Sequence, residues 1–350
     1  MSAASSCVYI NMRSRTAPMG GVQRYALALQ QRLADCTVTV EPTKPMHGIR
    51  GHLWEQVVLP RLVRNGLLWS PANTGPLSVA NQVLTVHDIG SLEHPEWYNS
   101  VFAAWYRWLT PRLLRKVRRI ITASRFSRDR LLALMGVDEA KIAVVPIGVD
   151  PHFRPCCTEE ILKTTSELGI PSPHYLLNLG TLEPRKNLRR LLAAWASCVE
   201  RLPKEVWLVI AGSETPASVF KNLELDSIPQ RVHFAGFVAD RHLPSLYSGA
   251  LSLVYVSVYE GFGLPALEAM ACGTVPIVAQ NSSLPEVVGD AGFLVDPFDI
   301  ENIATAITQL VERDELRSQL RARATRRSHQ FTWEQTAKNT WDVLQQAMIS

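Results

Sequence analysis

The chain has no Cys-x-x-Cys pair, no apolar run near the ~20 residues that a membrane span needs, and little net charge, +4 over 350 residues. Its six cysteines (Cys7, Cys36, Cys156, Cys157, Cys198, Cys272) accompany no clustered histidines. Zinc sites of ordinary spacing and a disulfide framework are excluded, and the thiols read as reduced and mostly buried. Between Met1 and Thr16 no apolar stretch is long enough for a secretory signal, and Arg13 and Arg15 lie on the wrong side of Cys7–Ile10 for one. A cytoplasmic location is expected. With 47% apolar and 19% charged residues the chain can bury sizeable cores, and at about 150 residues per domain it should form two.

Charge is arranged by halves. Residues 1–160 carry 19 Lys/Arg against 12 Asp/Glu, whereas 161–350 carry 17 against 20. The excess gathers between Trp105 and Arg130, where a basic run follows Trp105, Tyr106 and Trp108. Basic residues beside interfacial aromatics suit an anionic membrane surface, contacted here by Arg112, Arg115, Lys116, Arg118 and Arg119; a solvated basic face is the plainer reading. No recognised nucleic-acid-binding module accompanies the patch, so nucleic acid is not an expected partner.

Short apolar runs alternate with stretches of helical spacing. Cys7–Met12, Val83–Val86, Ile120–Ser124 and Ile142–Ile147 read as strands in the first half. Tyr175–Leu179, Val206–Ala211, Val232–Phe234, Leu251–Val258 and Val275–Ala279 do so in the second. Helical stretches such as Gln23–Leu33, Leu53–Leu68 and Leu188–Glu200 separate them. Such alternation predicts α/β architecture with doubly wound parallel sheets. The proline-bearing stretch Pro151–Pro173 breaks the pattern. The expected division is 1–155 and 174–330, with a hinge at 156–173 and a last amphipathic helix at 331–350 packing back on the first domain.

Four stretches carry candidate chemistry. Leu251–Gly273 reads as a strand, a Gly-rich loop bearing Glu260, and a helix opened by Pro265 with Glu268 in its first turn. The free N–H groups of such a helix mouth attract anions, although either acid could be an ordinary turn or capping residue. In Gly180–Asn187, Arg185 and Lys186 precede a helix N-terminus, where the dipole disfavours cations unless they face an anion such as a diphosphate. Gly20 and Gly21 precede a helix and permit close backbone approach to a ligand. His87 follows a buried strand, where open α/β sheets place their ligands, although a lone His there is more often structural.

Taken together, these residues resemble the retaining glycosyltransferases of the GT-B fold, family 4, and in particular their bacterial polysaccharide mannosyltransferase-like branch. The likeness runs through Gly20–Tyr25, Leu84–Asp88, His94–Tyr98, Ala123–Ser127, Pro146–Asp150, Gly180–Asn187, Glu260–Gly273 and Leu284–Val287. Each motif is modest; their order is specific. The resemblance implies two Rossmann-like doubly wound lobes facing a cleft, a nucleotide-sugar donor, a glycan or lipid-linked glycan acceptor, and no cofactor. Arg185 and Lys186 are then expected to neutralise the donor diphosphate, assisted by backbone N–H groups of Gly20, Gly21 and the Glu260 loop. Glu268 would bind ribose, and Glu260 with the amides of Gly261, Phe262, Gly263 and Leu264 would position the transferred sugar. His87 would lie beneath that sugar near the reacting carbon, and Val238 would border the nucleobase. GDP-mannose is the expected donor, with a UDP-sugar as the alternative.

Some residues depart from the family pattern. Thr181 stands where certain relatives place a further phosphate-binding Arg, and Ala211–Pro216 is less glycine-rich than in many, which leaves the base open. The chain has no Asp-x-Asp pair, and Arg185 with Lys186 can replace a divalent ion, so no metal is expected. A glycoside hydrolase would need its carboxylates about 5–10 Å apart on opposite sides of a sugar. Glu260 and Glu268 instead share one strand–loop–helix corner. A sugar-nucleotide epimerase and a non-catalytic nucleotide-sugar-binding protein remain as alternatives on the same fold.

Overall fold

The computed structural model describes residues 7–16, 20–46, 48–63, 66–212 and 228–349. The chain divides into two compact units, the first comprising Met1–Glu93, Ser100–Gly148 and Thr332–Ser350, the second His94–Asn99 and Val149–Phe331. Residues 156–173 lie in the second unit and include a helix, Thr158–Glu167.

In the first unit, β1 (Val8–Asn11), β2 (Thr37–Val40), β3 (Leu67–Ser70), β4 (Gln82–Thr85), β5 (Arg119–Thr122) and β6 (Ile142–Val144) form one sheet in the order β2-β1-β3-β4-β5-β6. Every pairing is parallel. Such strands are covered on both faces, which is why β3 and β4 are continuous buried runs. The helix Trp333–Ile349 packs on this unit: Trp333 meets Tyr25 at 6.2 Å, and Thr336 Oγ1 donates to the Pro146 carbonyl at 2.8 Å. Arg118 Nη1 donates at 2.7 Å to the Ala347 carbonyl, a cation at the helix's negative end. Gly148 admits the helix, since a Cβ there would lie 2.2 Å from the Trp333 nitrogen.

The second unit repeats the plan with β7 (Tyr175–Leu179), β8 (Trp207–Ala211), β9 (Val232–Gly236), β10 (Ser252–Tyr255), β11 (Val275–Ala279) and β12 (Phe293–Val295), all parallel, in the order β12-β11-β10-β7-β8-β9. The helices Leu188–Cys198 and Ile300–Glu312 bury Leu191, Trp195, Ile303 and Ile307 against strand residues Leu208, Ile210 and Val254. Winding proceeds outward from β7 through β8 to β9, then returns to β10 on the other side of β7. Strand order thus reverses between β7 and β10, the switch point beside whose carboxyl ends open α/β sheets bind their ligands.

Several expectations need correction. Leu53–Leu68 is not one helix: Gly48–Leu53, a π turn at Trp54–Val58 and Leu59–Val63 are followed by β3. Apolar periodicity cannot tell a short buried strand from a helix end, so the pattern runs Leu67 and Leu68 of β3 on into the preceding helix. The strand before Glu260 ends at Tyr255, and β2 and β12 are edge strands too short or too exposed to stand out. Only Cys198 and Cys272 are buried; Cys36 and Cys157 are exposed. The basic stretch runs, in agreement with the strand read at Ile120–Ser124, through the helix Ser100–Lys116, β5 and the helix Arg125–Met135.

Candidate active site

Two loops leave the carboxyl ends of β7 and β10 and are fastened to each other. In the first, Pro184–Lys186 tightens into a 3-10 turn, and Asn187 follows in the left-handed region, φ 60°. The Asn187 amide donates to the carbonyls of Val256 (3.0 Å) and Pro297 (2.7 Å). The Val258 N–H donates to the Arg185 carbonyl at 2.9 Å, and Arg185 Nη1 donates to the Tyr259 carbonyl at 3.2 Å. Glu260 is thereby carried on a loop whose backbone is held by the cation loop.

The side chains converge as well. Glu260 Oε1 accepts from Lys186 Nζ and from the Tyr255 hydroxyl, both at 2.6 Å, while Oε2 accepts from Arg185 Nη1 at 3.0 Å. Lys186 Nζ also donates to the Tyr255 oxygen at 2.7 Å. Arg185 Nη2 lies 2.7 Å from an oxygen of the fully buried Glu183. Burial alone would raise the Glu260 carboxyl, but Lys186 and Arg185 outweigh it and bring it down to about 2. Burial and then Arg185 lower the Lys186 ammonium, opposed by Glu260 and Glu183. Burial and the neighbouring Glu260 charge raise the Tyr255 phenol well above its ordinary range. With two cations and two carboxylates the cluster is formally balanced. Net charge therefore offers an anion nothing here; only the direction of the cations and the backbone N–H groups could attract one.

Those N–H groups belong to the helix Leu264–Ala271. Gly263 caps it with φ 105°, and a Cβ there would lie 2.6 Å from Leu284 Cδ2, so the turn requires glycine. The helix ends in a Schellman motif, with the Gly273 N–H on the Met270 carbonyl and the Thr274 N–H on the Ala269 carbonyl. Because the helix begins at Leu264, Glu268 is its fifth residue and stands beyond the first turn, which corrects the expected position. It is buried and accepts from the Tyr247 hydroxyl at 2.9 Å, so it does not cap the helix. Gly261, Phe262 and Gly263 fill the loop, and Phe262 packs edge-on against Phe331 at 5.9 Å. Val238 is buried just beyond β9. Residues 213–216 of the stretch bearing on the base lie outside the described residues.

Gly20, Gly21 and His87 belong to the first unit. Gly20 caps the helix Gly21–Arg32 without a side chain, so the N–H groups of its first turn have no side-chain acceptor from the cap. His87 follows β4, its Nε2 2.9 Å from the Pro71 carbonyl. A carbonyl only accepts, so Nε2 carries the proton; burial lowers the imidazole pKa and keeps it neutral, leaving the lone pair on Nδ1. Tyr25 stands edge-on at 4.7 Å, and the His87 N–H donates to Asn73 Oδ1 at 2.7 Å.

Glu183, Tyr255, Tyr247 and Asn187 complete these contacts without having been anticipated. The readable signals were a Glu beside the cations and a tyrosine at the end of a strand. A further polar knot in the first unit was also missed: Glu55, fully buried on the π turn, accepts from Asn11 Nδ2 (2.7 Å), Thr74 Oγ1 (2.7 Å) and Arg13 Nε (3.2 Å). It ties together the loops after β1 and β3. Among the described residues, no cluster of three or more His, Cys, Asp or Glu could hold a metal ion.

Two parallel six-stranded α/β sheets are the arrangement of the GT-B glycosyltransferases. The chain belongs to glycosyltransferase family 4: residues 67–153 match that family, and residues 163–327 match the glycosyl transferases group 1. Over 268 residues it is 33% identical to the O-antigen chain mannosyltransferase B of Escherichia coli, covering 76% of this chain and 70% of that one. It is 27% identical to the O-antigen chain mannosyltransferase RfbU of Salmonella typhimurium, over 72% of this chain and 67% of that one. Anabaena HepE in complex with UDP and glucose has the same fold, with a TM-score of 0.76 at 19% identity, over 97% of this chain and 99% of that one. The protein is a glycosyltransferase.

Proposed function

We propose that the enzyme moves a hexose, mannose from GDP-mannose, onto a glycan or lipid-linked glycan acceptor in surface polysaccharide synthesis, with retention of anomeric configuration. The carrying observation is the Arg185–Lys186–Glu260 cluster at the β7/β10 switch point; the mannosyltransferase relatives supply the choice of sugar. Arg185 and Lys186 face the donor diphosphate, and the amides of Gly261 to Leu264 add donors around it. As the C1–oxygen bond to phosphate breaks, negative charge grows on the departing diphosphate. Fixed cations and N–H dipoles around it stabilise that charge without reorganising, which is commonly the largest catalytic contribution. The acceptor oxygen bonds to C1 on the same face and its proton passes to the leaving phosphate oxygen. Neither Glu260 nor Glu268 then acts as a general acid: Glu260 orients sugar hydroxyls and Glu268 the ribose, while His87 lies beneath the reacting carbon. The two cations do the work of a divalent ion, so turnover should survive chelation by EDTA.

A UDP-sugar is the second reading of the donor, favoured by the likeness to a fold relative whose complex contains UDP and glucose. A panel of radiolabelled nucleotide sugars, GDP-mannose and UDP-glucose among them, with a bacterial membrane extract as acceptor, tests both. If no donor is consumed beyond hydrolysis and none raises the melting temperature, the transferase reading of this site fails.

We also infer that the first unit docks on the inner, anionic face of the cell membrane through Arg112, Arg115, Lys116, Arg118 and Arg119. Arg112 lies 4.9 Å over the ring of the exposed Trp108. Ile49, Leu53, Val57 and Leu62, on the segment 48–63, are exposed apolar residues in the same unit. Among the described residues no helix is long and apolar enough to cross a membrane.

A further inference from the structure

The stretch His94–Asn99 belongs to the second unit although the chain on either side of it belongs to the first. Pro95–Trp97 forms a 3-10 turn. His94 is the N-cap of this turn, and its ring stacks on that of Trp97, with centroids 4.0 Å apart and planes 16° from parallel. Glu96 Oε1 lies 3.1 Å from His94 Nδ1, which makes Nδ1 the donor and fixes the rotation of the ring. Both rings meet Tyr259 edge-on, at 5.6 Å for His94 and 6.2 Å for Trp97. Tyr259 is buried, its carbonyl accepts from Arg185, and the next residue is Glu260. The covering pair is not buried: the His94 side chain is 33% exposed and Trp97 is half-buried.

We propose that the His94–Trp97 stack is the sugar-contacting wall of the Glu260 site and takes the C–H face of a pyranose. A pyranose carries an apolar patch of C–H groups on its face and hydroxyls around its rim. Its recognition calls for an aromatic plane beside a few fixed polar groups. Glu260, held by Lys186, Arg185 and Tyr255, supplies the polar part, and the stack, one residue removed from it through Tyr259, supplies the plane. This rests on the reading of Glu260 as the group that orients sugar hydroxyls. The pyranose is either the transferred hexose or the terminal sugar of the acceptor, since both present the same chemistry.

Isothermal titration of the full chain with GDP-mannose and GDP, and with UDP-glucose and UDP, tests the wall in the wild type and in Trp97→Ala, Trp97→Phe and His94→Ala. Turnover against a detergent extract of bacterial membranes adds the acceptor arm. If the wall holds the transferred hexose, Trp97→Ala weakens the nucleotide sugar about tenfold or more while leaving its parent nucleoside diphosphate within about twofold, and Trp97→Phe restores most of the loss. If it holds the acceptor sugar, donor affinities are unchanged and the acceptor KM rises about fivefold or more at nearly constant kcat. Equal weakening of nucleotide sugar and nucleoside diphosphate would reduce the stack to a prop for the Tyr259 loop and overturn the proposal. So would unchanged donor affinities together with an unchanged acceptor KM. A wild-type chain that binds none of the four nucleotides overturns the donor reading of Glu260, and the wall with it.

Discussion

Lys186 Nζ lies 2.6 Å from Glu260 Oε1, and the neighbouring Arg185 reaches the other oxygen of the same carboxylate at 3.0 Å. One buried acid thus touches both cations of the proposed diphosphate clamp, while Glu183 holds Arg185 from a second side at 2.7 Å. The two acids hold the cations apart, although their charges repel, and fix their direction before a donor arrives. Preorganisation of this kind is what lets fixed charges act on a transition state without first rearranging.

Removing one cation should therefore cost rate more than fold. Lys186→Ala is expected to lower kcat/KM for the donor by about 10²–10³, the scale seen when one fixed stabilising group is removed from a developing anion. Glu260→Gln is different, because it leaves two buried cations with the single charge of Glu183, which contacts only Arg185 of the pair. It should destabilise the chain by about 3–5 kcal/mol, read as a lower urea midpoint for the second unit. A Lys186→Ala enzyme that turns over at the wild-type rate would sink the clamp.

Glu268 allows a cleaner separation of binding from folding. Its Oε2 accepts from the Tyr247 hydroxyl at 2.9 Å, a contact that a purely structural carboxylate would also make. If it also holds ribose, Glu268→Ala should raise the donor KM by about 10–100-fold, the worth of a hydrogen bond to a charged group, with a smaller change in kcat. Tyr247→Phe keeps the carboxylate and should cost less than about 1.5 kcal/mol in donor binding. An unchanged donor KM in Glu268→Ala beside a lowered melting temperature would assign Glu268 to the fold alone.

How much of this was legible in the sequence differs by level. Buried parallel strands are apolar runs, so β1, β4 to β6 and β7 to β11 stand out, as do the glycines and the cations that follow them. Strand order does not, because periodicity gives an element's type and not its neighbour. Arg185 and Glu260, 75 residues apart, meet because β7 and β10 pair across the switch point. Glu183 and Tyr255 were hidden for a related reason: their contacts are made by burial against a loop that only the sheet order brings near. Glu55 sits on a π turn, whose extra residue shifts the helical phase, and a period of 3.6 runs straight past it into β3.

Membrane docking makes a salt-dependent prediction. Arg112, Arg115 and Lys116 lie on the helix Ser100–Lys116 and are exposed, each with one donor on a backbone carbonyl, so their charges stay near the surface. At about 1 kcal/mol per cation, replacing all three by Gln should reduce co-sedimentation with anionic vesicles about 100-fold, and added salt should do the same to the wild type. Leu53→Ser with Val57→Ser should weaken binding with much less salt dependence. Vesicle binding unaffected by the triple replacement would refute the basic patch as the docking surface.

The first unit should be sensitive to mild acid, and the cause is His52. Its ring packs at 5.1 Å from Trp105, and Nδ1 is 3.9 Å from Glu55. Burial, followed by the charge of Arg13, holds the imidazole down at about 4 against the opposing pull of Glu55. The folded chain thus keeps His52 neutral at pH values where the unfolded chain, near 6.5, has already protonated it. Between those values the unfolded state binds more protons, so stability rises with pH and is lost as pH falls from 6.5 toward 4. The loss from pH 7 to pH 5 should be about 2 kcal/mol from His52. His87, also lowered by burial, adds to it in the same direction. Urea midpoints of the first unit measured at the two pH values should move less in His52→Gln than in the wild type, and parallel shifts in both would remove His52 as the cause.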